Sequence, residues 1–468
     1  MRAFRGRIAS RFALLVLSVA GTVTWAQVPY QRPAGMADLS EPLIVAGYRA
    51  LFTCSAHFVM GRPLDDILKV ELVDVQTHAW PLLVVDADEF TVSARDGQGN
   101  VQMAAWRRGM GCTLLPPHWD SGDVARLPYI ELPAAPDMSD TAFPVGDRVA
   151  LRRSGLHRKA GSLAPVMERA FDGETFVPGN VTTAVIIVKD GEMLAERYRD
   201  GFGITAGYRT WSTAKSISAA VMGIAAGEGL LDLDEPAAVP EWQDGQDPRA
   251  AITYKHLLWM SSGLTSGGSN TAAIYFGGQD AVSAATTTAL EAEPGTRWKY
   301  ANNDTLLLLR SLRFLLDDDA AYLRYPYEKL LHRIGMYHTR MEVDHQGNFI
   351  GSSQVYTTAR DLARFGVLLA ADGVWQGERI LPEGWVAFSR TPAPTRPQER
   401  GVNGYGAQFW LLDQHDGVPP GTFTTAGNKG QWVTVVPDEN LVIVRTGVDP
   451  QGVRWEQHRF VADVVGAL

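Results

Sequence analysis

The stretch "TWSTAKSISAAVMGIAAG", Thr210 to Gly227, decides how this chain is read. After Lys215 it carries no charge until Glu228. Ile217, Ala219, Ala220, Val221, Met222, Ile224, Ala225 and Ala226 fall on every side of a helix. A helix that is apolar all round is buried on all sides. An unpaired ammonium in such a setting is costly, so its pKa falls instead. A lysine with a lowered pKa acts as a base near neutral pH. Residues three apart share a helical face. With the helix beginning at Ser212, the Lys215 amine reaches the Ser212 hydroxyl, and the helix N-terminus favours negative charge developing there. That is the arrangement of an activated serine nucleophile. The plainer alternative is that Ser212 caps the helix and Lys215 snorkels to solvent from its first turn. Two features favour the first reading. Lys215 is the only lysine with a serine three residues before it, and it opens the most uniformly apolar helix downstream of the N-terminal leader.

Two further motifs follow it. In "WKYANND", Tyr300-Ala301-Asn302 is the only Y-x-N of the chain. A tyrosine near an ammonium loses its proton more easily, so Tyr300 is a candidate proton shuttle. Asn302 is placed to hydrogen-bond the lysine or a substrate amide. The alternative is a loop tyrosine with a capping asparagine. In "TTAGNKGQWVTVV", glycines just before a strand allow close backbone approach. Such an edge can present an N–H to an oxyanion, although it also reads as a plain turn.

The three motifs together resemble the serine β-lactamase-like superfamily, which includes class C β-lactamases, penicillin-binding DD-peptidases, esterases and 6-aminohexanoate-dimer hydrolases. "ITYKHLLWMSSGL", "YTTARDLARFGVLLAADGVWQGERILPEGWV" and "FTTAGNKGQW…VPDENLVIVRTG" look like family blocks in family order, so the resemblance runs from about Ala164 to Leu468. The 88 residues between Ser212 and Tyr300 also suit class C-like members. The resemblance implies that Ser212 is acylated, Lys215 assists as base and Tyr300 relays the proton. It implies an oxyanion hole from the backbone N–H of Ser212 and one from the strand edge. By position that second donor is Asn428, within the segment Gly427 to Gly430. There is one departure. Where many members carry Lys-Thr-Gly or His-Thr-Gly, this chain has Thr425-Ala426-Gly427. The side chain that commonly holds a substrate carboxylate is missing. The Ala-Gly-x-x-Gly-Gln form resembles the 6-aminohexanoate-dimer hydrolase and esterase branch.

The order of elements predicts an α/β (α+β) fold. "TTAVIIVKDGEMLAERY" reads as a hairpin around Asp190-Gly191, and "QWVTVVPDENLVIVRTG" as another around Pro437 to Asn440. A terminal amphipathic helix carries Phe460, Val461, Val464, Val465 and Leu468 on one stripe. Between the hairpins lie helices, among them one with Leu362, Phe365 and Leu369 on one face. An antiparallel sheet built from both ends, flanked by N- and C-terminal helices and interrupted by a mainly helical subdomain, explains this order. "TSGGSNT", "EWQDGQDPRA" and "TPAPTRPQERGVNG" are loops suited to edge a cleft. Upstream, residues 27–160 read as an appended N-terminal region, with a helix around Ile44 to Phe58 and a hairpin turning at Asp96-Gly97 and Gly99-Asn100. "LPAAPDMSDTAFPVGD" reads as a linker or surface loop. His57 and His78 are isolated and read as structural. The hydrolase domain is expected over 161–468.

The chain has 468 residues, enough for more than one domain. At 46% hydrophobic and 20% charged it has the composition of a soluble globular protein. Arg2, Arg5, Arg7 and Arg11 precede an apolar run from Phe12 to Ala20 and then Thr24-Trp25-Ala26. This pattern predicts a secretory signal over 1–26; the alternative is a membrane anchor, but the apolar run is shorter than the ~20 residues of a span. Its removal takes four arginines and no acids, so the net charge of −9 becomes −13. An acidic protein binds nucleic acid and anionic lipid poorly. Cys54 and Cys112 are the only cysteines, and an even count in an exported chain predicts a disulfide. No G-x-S-x-G, H-E-x-x-H or P-loop is present, and the ten histidines lack ligand spacing. No catalytic metal or cofactor is expected. The expectation is an exported, periplasmic or secreted, serine hydrolase that cleaves a small-molecule or peptide-like ester or amide through an acyl-enzyme. The alternatives are a β-lactamase or DD-peptidase, and a non-catalytic binding relative.

Overall fold

The computed structural model describes residues 41–72, 83–149, 156–243, 245–265, 274–397 and 399–468, with side chains of 156–160 excepted. The expected signal, His78 and most of "TSGGSNT" lie outside them.

A seven-stranded antiparallel sheet organises the C-terminal two thirds. Its spatial order is Gly404–Tyr405, Trp410–Leu411, Phe423–Gly427, Gln431–Val436, Leu441–Gly447, Thr182–Lys189 and Glu192–Tyr198. Both expected hairpins are present. The seam between them pairs Leu441–Gly447 with Thr182–Lys189, including Ile443 opposite Ile187. The two ends of the unit are thus joined at the sheet centre, where β-branched residues are buried on both faces.

Each face is covered by a different set of helices. On one, Leu163, Val166 and Ala170 of Leu156–Phe171 and Phe460, Val461 and Val464 of Gln457–Ala467 pack on Val185, Ile187 and Ile443. On the other, Leu362 and Ala363 of Ala359–Ala370 pack on Ile186, Val442 and Val444. Gly366 lets that helix come close, since a Cβ there would collide with Val442. The inserted segment is mainly helical, and its centre is the helix Thr213–Gly227, buried from Thr213 through Ala225.

The N-terminal region builds its own antiparallel sheet of four strands, Leu83–Asp86, Thr91–Arg95, Val101–Arg107 and Gly111–Leu114, in that order. The expected hairpin is its central pair. Asp96 holds the turn by accepting from the N–H groups of Gln98 and Asn100 and the Asn100 amide. The expected helix is found at Glu41–Cys54 and continues as a wider turn over Ser55–Val59. Cys54 and Cys112 are both buried and joined by a disulfide. Ala50, Phe52 and Cys54 belong to the same apolar core as Ile217 and Val221 of the central helix. The segment expected as a linker lies along the surface and is pinned: Arg364 donates to the carbonyls of Pro144 and Gly146, and Arg360 to that of Asp147. Among the described residues no helix is long and apolar enough to cross a membrane.

Candidate active site

The chain reaches the central helix through a sharp turn. The short strand Gly207–Arg209 ends, Trp211 takes a left-handed backbone with φ of 50°, and Ser212 follows as the residue flanking the helix. A bulky residue in that region is strained and is held there by its surroundings. The Ser212 side chain makes no capping hydrogen bond to the helix backbone. Its hydroxyl instead accepts from Lys215 Nζ at 3.2 Å.

Lys215 does not snorkel; it is 1% exposed. Its ammonium also donates to Asn302 Oδ1 at 2.6 Å and to the Ser352 carbonyl at 2.7 Å. No carboxylate lies within ion-pair distance of it among the described residues. Burial lowers its pKa to about 7, Asp304 acting upward and Arg209 downward. An amine in this state takes up a proton as readily as it gives one near neutrality.

Tyr300 and Asn302 come from the start of the helix Asn302–Leu316. Asn302 Oδ1 accepts from the lysine, one of the two roles expected of it. Tyr300 is half-buried, stacks on Trp410 with ring centres 5.7 Å apart and meets Tyr405 edge-on. Its ring centre is 5.1 Å from Lys215 Nζ. Its proton is held more tightly than in a free tyrosine, against the expectation from its neighbour. Burial raises the phenol well above its usual range, and a hydrogen bond with Ser212 only partly offsets that. At the high pH where the phenol titrates, an amine with a pKa of about 7 is already uncharged and cannot pull it down.

The third motif lies on the strand Phe423–Gly427 and the turn after it. Gly427 packs so closely on the Thr210 carbonyl that a Cβ would collide with it. Lys429 and Gly430 have left-handed backbones that close the turn onto Gln431–Val436. Asn428 is exposed at the tip. Thr425 is not open to a ligand. It is fully buried, its hydroxyl 2.9 Å from that of Thr213 and accepting from the Val433 N–H.

The turn is clamped from behind. Arg445 makes two hydrogen bonds to Asp449, at 2.7 and 2.8 Å, and donates to the Gly430 carbonyl. The Asp449 N–H donates to the Lys429 carbonyl, and Gln431 Nε2 reaches the same carbonyl.

Asp304 was not legible as a site residue. It is fully buried, two residues after Asn302, and accepts from Ser262 at 2.9 Å. Its Oδ2 has no hydrogen-bond partner among the described residues. Burial pushes its carboxyl up to about 8, despite the Ser262 hydrogen bond and the charges of Lys215 and Arg297. The only signal for it is its place in "NND", which by itself carries no chemistry. Among the described residues no group of His, Cys, Asp and Glu is arranged to hold a metal ion.

A sheet assembled from both ends of a unit, with a buried Ser-x-x-Lys helix packed on its strands Phe423–Gly427 and Gln431–Val436, defines a class, and the comparisons agree with it. Residues 167–451 match the beta-lactamase family. The chain belongs to that family and is a serine hydrolase of it. It is 28% identical over 319 residues to the 6-aminohexanoate-dimer hydrolase of Paenarthrobacter ureafaciens, covering 61% of this chain and 79% of that protein. In fold it resembles a family VIII carboxylesterase, with a TM-score of 0.53 and 16% identity over 69% of this chain and 99% of that one. It likewise resembles EstCE1, a hydrolase with promiscuous acyltransferase activity, with a TM-score of 0.53 and 16% identity over 65% and 99%.

Proposed function

We propose that this protein is an exported hydrolase of neutral esters or amides that works through an acyl-enzyme on Ser212. The observation that carries the reading is the Lys215 amine, buried, held near neutrality and 3.2 Å from the Ser212 hydroxyl. In the proposed cycle Ser212 Oγ attacks the substrate carbonyl carbon and its proton passes to Lys215 Nζ. The tetrahedral oxyanion is met by the backbone N–H of Ser212 and one from the edge at Asn428. Tyr300, hydrogen-bonded to Ser212, relays the proton to the departing oxygen or nitrogen as its bond to carbon breaks. Its tightly held proton suits a group that passes a proton on rather than one that sits ionised. Water then attacks the acyl-enzyme by the same route in reverse. Asn302 and the Ser352 carbonyl hold the amine in line throughout.

The burial of Thr425 supports a neutral substrate. The position where relatives often set a cation is here a hydroxyl spent on Thr213 and Val433. Recognition of a carboxylate out of water needs a cation or several donors. The names of two similar proteins, a 6-aminohexanoate-dimer hydrolase and a carboxylesterase, support cleavage of an amide or an ester and say nothing for a neutral substrate. Residues 161–468 form the proposed hydrolase domain, 27–160 the appended region and 1–26 the export signal. The buried disulfide supports an oxidising destination. The test compares kcat/KM for a p-nitrophenyl ester, a short amide and nitrocefin on one preparation of the purified protein. Ester or amide turnover well above nitrocefin turnover is expected. Efficient nitrocefin turnover with negligible ester hydrolysis would overturn the substrate class.

A further inference from the structure

Arg209 lies three residues before Ser212 and is 4% exposed. No carboxylate is within ion-pair distance of it among the described residues; Glu342, itself buried, faces it only at longer range. A buried cation without a carboxylate needs other compensation. It finds it in rings: its guanidinium carbon is 4.2 Å from the centre of Trp211, 4.5 Å from Phe52, 5.4 Å from Phe276 and 5.9 Å from Tyr275. Contacts of this kind stabilise a desolvated cation. Phe52 belongs to the N-terminal region, two residues before the disulfide at Cys54, and stacks on Tyr48.

The other side of the guanidinium grips one loop. Nη2 donates to Ser353 Oγ at 2.8 Å and Nε points to the Ser353 carbonyl at 3.4 Å. The residue before it, Ser352, supplies the carbonyl that accepts from Lys215 and a hydroxyl 2.6 Å from that of Tyr275. The charged and titratable groups that act on Lys215 are Asp304 and Arg209, the Tyr300 ring lies 5.1 Å from its Nζ, and Tyr275 and Tyr405 act on Tyr300 in turn. Asp304 favours the ammonium; Arg209 opposes it.

Resting on the function proposed above, we propose that Arg209 is the positioning residue of Lys215. It holds the Ser352 carbonyl against the amine and sets a second positive charge behind it, and the N-terminal region supplies the aromatic face that keeps it in place. The appended region is then part of the machinery that positions Lys215, rather than an independent module.

The experiment is the pH profile of kcat/KM for p-nitrophenyl acetate in Arg209→Met, Arg209→Lys and Ser353→Ala, with fluorophosphonate labelling mapped to its residue in each. The wild type is expected to gain activity as pH rises through about 7. Arg209→Met, which removes the opposing charge, should move that limb upward by on the order of one pH unit. Arg209→Lys keeps a charge but loses the fork; its limb should stay, with kcat down about tenfold at unchanged KM. Ser353→Ala should show the same tenfold loss. An unmoved limb in soluble Arg209→Met overturns the proposal. Should that variant not fold, unchanged kcat in both Arg209→Lys and Ser353→Ala overturns it, and the tenfold losses support it. Label on a residue other than Ser212 in the wild type would instead sink the acyl-enzyme reading itself.

Discussion

Two of the buried cations, Arg445 and Lys215, are treated in opposite ways. Arg445 is matched by a carboxylate: Asp449 takes two of its hydrogen bonds, and Thr182 and the Gly430 carbonyl take the rest. Lys215 is matched by neutral acceptors only, from Asn302, Ser212 and Ser352. The nearest acid, Asp304, is itself driven toward its protonated form. A paired cation is a strut, while one left with neutral partners in a dry site is poised to lose its proton. The fold needs the first to hold the turn at Gly430, and the proposed chemistry needs the second.

Activity separates the two most sharply. Ser212→Ala and Lys215→Met should each lower kcat by about 10³-fold or more, because groups that act as one unit fail together. Ester turnover by either variant near the wild-type rate would end the assignment.

Stability should reverse the ranking. Arg445→Met leaves Asp449 buried without its partner, a change that costs about 3–5 kcal/mol in comparable cases. Lys215→Met removes an unmatched charge and should be neutral or stabilising by roughly 1 kcal/mol. Urea unfolding of the two variants and the wild type checks both signs. Equal losses in the two would mean that Lys215 is as structural as Arg445.

The contrast was only half legible beforehand. Lys215 was readable because it is the one charge opening an all-apolar helix and has a serine three residues before it on the same face. The sheet was readable because alternating β-rich runs flank Asp190-Gly191 and Pro437–Asn440. Arg209, Asp304 and the Arg445–Asp449 clamp were not. Arg209 and Asp304 depend on contacts between segments far apart in the chain, such as Arg209 with Phe52 and Ser353, and the clamp, though its pair is only four residues apart, acts through distant Gly430 and Thr182. Thr425 was recognised as a departure, but its inward orientation comes from strand register, which no motif carries. The N-terminal region carries no motif of its own because its contribution is a ring laid against a cation.

Tyr300→Phe should lower kcat by roughly 10²-fold, the range of general acid–base catalysis, and leave KM nearly as it was. It removes the relay and keeps the stack on Trp410. Unchanged kcat together with an unchanged pH–rate profile would remove Tyr300 from the cycle.

A smaller effect is expected at Asp304. Its charge raises the pKa of Lys215, so Asp304→Asn should move the ascending limb of the pH profile to lower pH. With its own pKa held up to about 8, Asp304 is mostly protonated where Lys215 titrates. The shift should therefore be only a fraction of a unit. An upward shift would contradict the electrostatic account, because the sign does not depend on the size.

The least effect is expected at Arg400, one of two arginines, with Arg396, in the loop "TRPQERG" that could bring a cation toward a substrate carboxylate. Arg400 is spent at the surface: it pairs with Asp416 at 2.7 Å, and both side chains are more than four-fifths exposed. Such pairs contribute little and are screened by salt. Arg396 is closer to the aromatic wall, its guanidinium 4.0 Å from the Trp298 ring centre and donating to the Asn403 carbonyl. Trp298 in turn meets Tyr405 and Trp410 edge-on, the rings that flank Tyr300. Arg400→Ala should leave kcat/KM for a neutral ester and for a carboxylate-bearing ester alike, within about twofold. A loss confined to the carboxylate-bearing ester would place Arg400 at the substrate after all. The neutral-substrate preference would then depend on how that loop sits rather than on the burial of Thr425.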